Sequence, residues 1–187
     1  MKRRNHELWM ALIAIFLILA LYLVVMTAFK GAPRASGFFG HTIGIIGFLL
    51  MLMTETLYSL RKRSRRARWG RMANWLDFHI FTGIVGPFMV LLHTAWKFNG
   101  LAGVLTLFMV IVVASGFIGR YIYTAIPRTS DGAEIEADQA GKQTAALASA
   151  RRRLALWHTV HIPLSMVLFS VALIHIVAAL YYATLMK

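Results

Sequence analysis

The sequence contains no cysteine in its 187 residues. This absence excludes disulfides, thiolate zinc sites, cysteine-ligated iron–sulfur clusters and covalently attached haem. It also excludes cysteine as a nucleophile. Any metal ion in this protein is therefore expected to be bound by His, Met, Asp, Glu or backbone oxygen.

Acidic residues are scarce: seven Asp and Glu stand against 20 Lys and Arg, so the formal net charge is +13. In a soluble protein such a charge would suggest nucleic acid as a partner. However, 59% of the residues are hydrophobic and the mean hydropathy is +0.66. Long apolar runs of this kind indicate membrane spans, and membrane proteins concentrate Lys and Arg in cytoplasmic loops.

Five apolar segments are long enough to cross a bilayer as helices. The predicted spans are 8–29, 38–60, 76–97, 101–124 and 154–185. The fold class predicted is therefore an all-α, polytopic membrane protein with a single integral membrane domain over residues 1–187. The first helix is predicted to be a peripheral anchor, although "MKRR" before an apolar run also fits a signal peptide. Helices 2–5 are predicted to form a four-helix, haem-binding bundle.

The basic residues are distributed unevenly between the two sides of these spans. With the N-terminus inside, sixteen Lys and Arg lie on the inner side and four on the outer side. This asymmetry predicts a protein of the cytoplasmic membrane with its N-terminus in the cytoplasm and its C-terminus outside. The basic loops are expected to contact anionic lipid head groups, and no nucleic-acid partner is expected.

The longest inner connection runs from Arg128 to Arg153 and contains four of the seven acidic residues. These are Asp131, Glu134, Glu136 and Asp138. Its alanine-rich part, "AGKQTAALASARRR", is compatible with a short surface helix. The segment is interpreted either as a solvated connector or as a docking surface for a soluble partner.

Histidines are the most informative residues in the spans, because ionisable residues inside membranes are rare and often functional. A lone histidine is more often structural, bonded to a neighbouring helix. Here, however, His79 and His93 are fourteen residues apart, and His161 and His175 repeat that spacing. Fourteen residues make about four helical turns and a rise of about 21 Å, so each helix directs two imidazoles to one face.

The connections make the third and fifth predicted helices parallel. His79 is then level with His161 near the cytoplasmic face, and His93 is level with His175 nearer the outside. Two facing pairs of imidazoles suit planar haems that take an axial ligand from each side, as in other helical bundles. A zinc site would instead need three or four ligands around one point.

Other residues near the first pair have two interpretations. Gly83 and Gly86 lie one and two turns from His79, where a missing side chain would let a flat ring approach. Taken alone, these glycines are better explained by ordinary packing of small residues between helices. His158 is an alternative inner ligand to His161, a contact for a haem propionate, or a structural residue.

Two further polar residues suggest a quinone site. His41, at the outer start of the second helix, is a candidate for lining an outer substrate or quinone pocket. Glu55, near the inner end of that helix, is either an interfacial carboxylate near Arg61, Lys62 or lipid head groups, or a proton-handling group beside an inner quinone.

The stretches "HIFTGIVGPFMVLLH" and "WHTVHIPLSMVLFSVALIH" resemble the ferric reductase-like transmembrane domain and, more broadly, the di-haem membrane cytochrome b family. The resemblance implies four axial ligands, His79, His93, His161 and His175, holding two non-covalent b haems. It also implies electron transfer across the membrane. The sequence has no glycine-rich dinucleotide fingerprint. The expected redox partner is therefore a flavin, iron–sulfur or cytochrome protein on another polypeptide, or a quinone.

Three functions follow as hypotheses. The first is a di-haem electron-transfer subunit of an oxidoreductase complex rather than a complete enzyme. The second is a quinol-oxidising or quinone-reducing membrane subunit. The third is a metal-handling transporter or assembly protein whose histidines bind metal transiently.

Overall fold

The computed structural model describes residues 5–63, 70–126 and 143–185, with side chains from residue 146 to 182 in the last range. These residues form five α-helices and no strand. The helices are α1 His6–Ala28, α2 Phe38–Arg63, α3 Met72–His93, α4 Gly100–Thr124 and α5 Gln143–Leu185. Each is long and apolar enough to cross a membrane. Over the described residues, the prediction of an all-α chain with five helices able to span a membrane is thus confirmed. The acidic part of the long inner connection lies outside these residues.

Helix α3 begins and ends four residues earlier than predicted. The hydroxyl of Thr94 donates to the carbonyl of Leu91 at 2.7 Å and accepts the backbone N–H of Trp96 at 3.2 Å. Ala95 and Trp96 then adopt φ values of 48° and 63°, outside the right-handed helical region. The helix therefore ends at His93, which becomes its last residue.

Helix α5 begins eleven residues earlier than predicted and contains 43 residues. At about 1.5 Å per residue it is about 65 Å long, roughly twice the hydrocarbon core of a bilayer. Leu147 and Leu154 are buried against Ile126 after the end of α4, which explains why the helix continues through this region. The described part of the alanine-rich segment is thus helical, and it is continuous with α5.

The chain divides into two compact units, residues 1–97 and 98–187. The first contains α1, α2 and α3, and the second contains α4 and α5. The predicted four-helix bundle of helices 2–5 involves both units and stays a prediction.

In the first unit, α1 packs against α3 and contributes to a common apolar core. The buried members of this core are Ala11, Tyr22, Ile43, Val85, Met89 and Leu92. Glu7, near the start of α1, is only 1% exposed. The helix predicted to be a peripheral anchor thus buries both apolar and acidic side chains within the first unit.

Helices α2 and α3 run antiparallel and touch at a pair of glycines. A Cβ on Gly47 would lie 2.8 Å from the carbonyl oxygen of Gly86, and a Cβ on Gly86 would lie 2.9 Å from that of Gly47. The two backbones are therefore in direct contact. Gly86 is thus explained by helix packing, while a Cβ on Gly83 would make an ordinary 3.6 Å contact with Thr54 Cγ2.

Substitution of the paired glycines is expected to destabilise the first unit. Gly47→Ala and Gly86→Ala should each lower the free energy of unfolding in detergent by about 1–3 kcal/mol, because the added methyl group meets backbone that must move. Gly83→Ala is the matched control, since alanine fits there and favours the helix by up to about 1 kcal/mol. Equal stabilities for all three variants would contradict the close backbone contact.

Candidate functional site

His93 is held against the first turns of α2. Its Nδ1 lies 2.8 Å from the carbonyl oxygen of Gly40. Its ring covers Gly44, where an added Cβ would lie 2.7 Å from His93 Cγ. Because a carbonyl oxygen can only accept, Nδ1 carries the proton and donates it. In the neutral imidazole the lone pair is then on Nε2.

His79 makes the same kind of contact four turns away. Its Nδ1 lies 3.2 Å from the carbonyl oxygen of Thr54 on α2, so Nδ1–H donates here as well. Tyr58 packs on this imidazole, with ring centroids 4.7 Å apart and planes inclined by 45°. The two α3 histidines therefore share one tautomer and one type of partner.

The three contacts between α2 and α3 are evenly spaced along both helices. Gly40 and Thr54 lie seven residues before and after Gly47, while His93 and His79 lie seven residues after and before Gly86. Seven residues are two turns at 3.5 residues per turn, the spacing that keeps one seam of contacts between two helices. The spacing of fourteen residues is thus matched by a spacing of fourteen in the acceptors.

Next to His79, two buried threonines join the same helices. The hydroxyl oxygens of Thr54 and Thr82 are 2.5 Å apart. Each also lies 2.8 Å from a carbonyl of its own helix, that of Leu50 or of Phe78. Since each hydroxyl has one proton, one threonine donates to its helix and the other donates across to its partner.

His161 is held in the second unit by a side chain instead of a carbonyl. Its Nδ1 lies 2.5 Å from Ser115 Oγ on α4, and this hydroxyl lies 2.9 Å from the carbonyl of Val112. Trp157 stacks on the imidazole with centroids 4.5 Å apart and planes inclined by 21°. The indole N–H of Trp157 donates to the carbonyl of Ser115 at 2.7 Å.

The other two histidines of α5 have different surroundings. His158 is half-buried and packs beside Trp157, with centroids 4.9 Å apart and an inclination of 51°. His175 is also half-buried and makes no hydrogen bond or ring contact within the described part of the chain. It lies fourteen residues beyond His161 and so is level with the start of α4. The predicted facing of His79 with His161 and of His93 with His175 involves both units and stays a prediction.

His41 and Glu55, the candidates for a quinone site, lie about 21 Å apart along α2. His41 is exposed, and its ring centroid is 6.3 Å from that of His93. Glu55 is half-buried, and the positive charge of Arg63 offsets part of the cost of burying its carboxylate. Of the two cations expected near Glu55, Arg61 donates to the carbonyl of Gly70 at 3.1 Å. Of these two candidates, His41 is the one whose side chain lies beside an α3 histidine.

The residues that hold the histidines were not found from the sequence. They are Gly40, Gly44, Thr54, Tyr58 and Ser115. Backbone carbonyls leave no trace in a sequence, so Gly40 and Thr54 could not be assigned as acceptors. For Ser115 the sequence does contain a weak indication, because a serine inside an apolar span often bonds a neighbouring helix.

The threonine pair predicts a non-additive effect on stability. Thr54→Val and Thr82→Val should each cost about 1 kcal/mol in the free energy of unfolding, because either removes the bond between the hydroxyls. The double variant should cost about as much as one single variant, since the second hydroxyl then has no cross-helix partner to lose. If unfolding in detergent shows that the double variant loses the sum of the two single losses in free energy, the hydrogen bond between Thr54 and Thr82 is contradicted.

Comparison with known proteins yields no similarity: no family model, curated protein or solved structure matches this chain. Among residues 5–63, 70–126 and 143–185, no three His, Asp or Glu side chains form a group that could hold a metal ion. The resemblance to the di-haem cytochromes therefore stays a prediction.

Proposed function

We propose that this protein is a di-haem b-type cytochrome subunit that transfers electrons across the cytoplasmic membrane. The four proposed axial ligands are those predicted from the sequence: His79 and His161 for the inner haem, and His93 and His175 for the outer haem, with the pairing taken from their spacing alone. The observation that carries the proposal is the pair of matched contacts from His79 and His93 to carbonyls of α2.

The residues present fit a haem. Histidines that bind metals almost always donate their other ring N–H to a carbonyl, carboxylate or water, which sets the tautomer and raises the basicity of the ligand. Nδ1 of His79 and of His93 donates to a carbonyl, and Nδ1 of His161 is bonded to a hydroxyl. In each case Nε2 is the nitrogen that would bind iron. A bound haem supplies the one-electron chemistry, and the protein supplies its position and electrostatics.

The spacing of the ligands supports transfer across the membrane. His79 and His93 lie about 21 Å apart along α3, which is most of the thickness of a hydrocarbon core of about 30 Å. Two haems held at these levels would lie near opposite faces. With the N-terminus inside, Arg151, Arg152 and Arg153 are exposed on α5 at the inner side, where they contact anionic lipids. Electrons are exchanged with a flavin, iron–sulfur or cytochrome protein.

The proposal predicts two b haems per purified chain in a reduced-minus-oxidised spectrum. His93→Ala should remove one haem and leave the helical circular dichroism unchanged, and His161→Ala should also remove one. His6→Ala is the matched control, because His6 is exposed at the start of α1 and is not a proposed ligand. His158→Ala should keep both haems.

Two results would contradict this assignment. A colourless wild-type protein that takes up no added haem would exclude the cytochrome and favour a metal-handling role. Loss of a haem in His158→Ala, with both retained in His161→Ala, would show that the wrong residue of α5 was assigned.

A quinone-reactive subunit is the second candidate, and the contact of His41 with His93 favours it. An exposed imidazole beside the ligand of the outer haem is placed to accept a proton from a quinol. His41→Gln should then slow haem reduction by a short-chain quinol about a hundredfold, the usual contribution of a proton-accepting group. Reduction by dithionite should be unchanged, as should quinol-driven reduction in His6→Gln. The opposite pattern, with Glu55→Gln impaired and His41→Gln normal, would place the quinone at the inner end.

A further inference from the structure

Ser115 on α4 is joined to α5 through both its backbone and its side chain. Its carbonyl oxygen accepts the indole N–H of Trp157, and its hydroxyl oxygen lies 2.5 Å from His161 Nδ1. Trp157 and His161 are four residues apart, which places them one above the other on the same face of α5. One residue of α4 therefore holds two neighbouring rings of α5.

The α4 backbone is shaped to receive these rings. A Cβ on Gly119 would overlap Cε2 and Cζ2 of Trp157, so the indole lies directly on the helix. One turn earlier, a Cβ on Gly116 would make an ordinary 3.8 Å contact with His161 Cε1. Because Trp157 has no room to move toward α4 and its N–H is bonded, its ring plane is restrained. The stacked plane of His161, inclined by only 21°, is restrained with it.

The hydrogen bonds of Ser115 also select a tautomer. The hydroxyl lies 2.9 Å from the carbonyl of Val112, and when it donates its proton there its oxygen can only accept, here from His161 Nδ1–H. The lone pair of the imidazole is then on Nε2. His158, the residue directly after Trp157, also contacts its ring, but at an inclination of 51°. Of the two histidines, His161 is the one placed in line with Ser115.

We infer that Ser115 and Trp157 are positioning residues that make His161, and not His158, the ligand and set the electron-donating strength of its imidazole. This inference rests on the proposed function. His79 and His93 donate to backbone carbonyls, which no side-chain substitution removes. The acceptor of His161 is a side chain, so the haem bound there can be altered selectively.

The test compares full-length Ser115→Ala, Ser115→Thr and Trp157→Phe with the wild type. Ser115→Ala should weaken haem affinity at one of the two sites about tenfold, as is usual when the partner of a ligand histidine is lost. It should raise the midpoint potential of that haem, because a less basic imidazole stabilises the ferric form less. It should also change the low-spin ferric electron paramagnetic resonance signal. Ser115→Thr keeps the hydroxyl and should restore all three properties.

Trp157→Phe loses the indole N–H but keeps an aromatic ring, so it should change the resonance signal, which depends on imidazole orientation. Ser170→Ala is the matched control, because Ser170 is an exposed α5 serine whose hydroxyl bonds its own helix at 2.9 Å. In the haem-free protein, nitrogen NMR should show His161 protonated on Nδ1, and this preference should disappear in Ser115→Ala.

Several outcomes would overturn the inference. In the first, the haem-loaded variants Ser115→Ala and Trp157→Phe have the same haem affinity, midpoint potential and resonance signal as Ser170→Ala. Another is a His161 protonated on Nε2 in the haem-free wild type. These results would leave the proposed function intact, whereas a wild-type protein that binds no haem would overturn both.

Discussion

The contact between Gly47 and Gly86 is the constraint on which the first unit depends. Hydrogen bonds between helices reach only about 3 Å, so an imidazole on α3 can bond a carbonyl of α2 only if the two backbones lie close together. The paired glycines remove the side chains that would separate them. Two turns on either side of this contact, the carbonyls of Gly40 and Thr54 then accept from His93 and His79.

These hydrogen bonds offset the cost of burying an imidazole among apolar helices. A histidine among apolar side chains costs free energy unless its polar nitrogens are bonded. In the first unit the acceptors are helical carbonyls, whose second lone pair is available after the bond within the helix. The second unit uses the hydroxyl of Ser115 instead, which is itself bonded to a helical carbonyl. When Ser115 donates to that carbonyl, the result is the same Nδ1-protonated imidazole, obtained with an acceptor of different strength.

The five helices could be predicted from the sequence, because long apolar runs must form helices when no water is present to bond the backbone. The boundaries that were missed depend on contacts distant in the sequence or on local turns. Helix α3 ends at His93 because Thr94 bonds Leu91 and Trp96. Helix α5 begins at Gln143 because Leu147 and Leu154 have an apolar partner in Ile126. Hydropathy alone detects neither effect.

The sequence by itself determined that four histidines are arranged in two pairs of fourteen-residue spacing, and therefore that each pair lies on one face of a helix. Tertiary structure alone decided what these imidazoles bond, which nitrogen of His79 and His93 carries the proton, and that Gly86 packs against Gly47. The physical reason is that helical periodicity is local. A hydrogen bond between helices instead depends on how closely two backbones approach and on their register, which residues far apart in the sequence determine together.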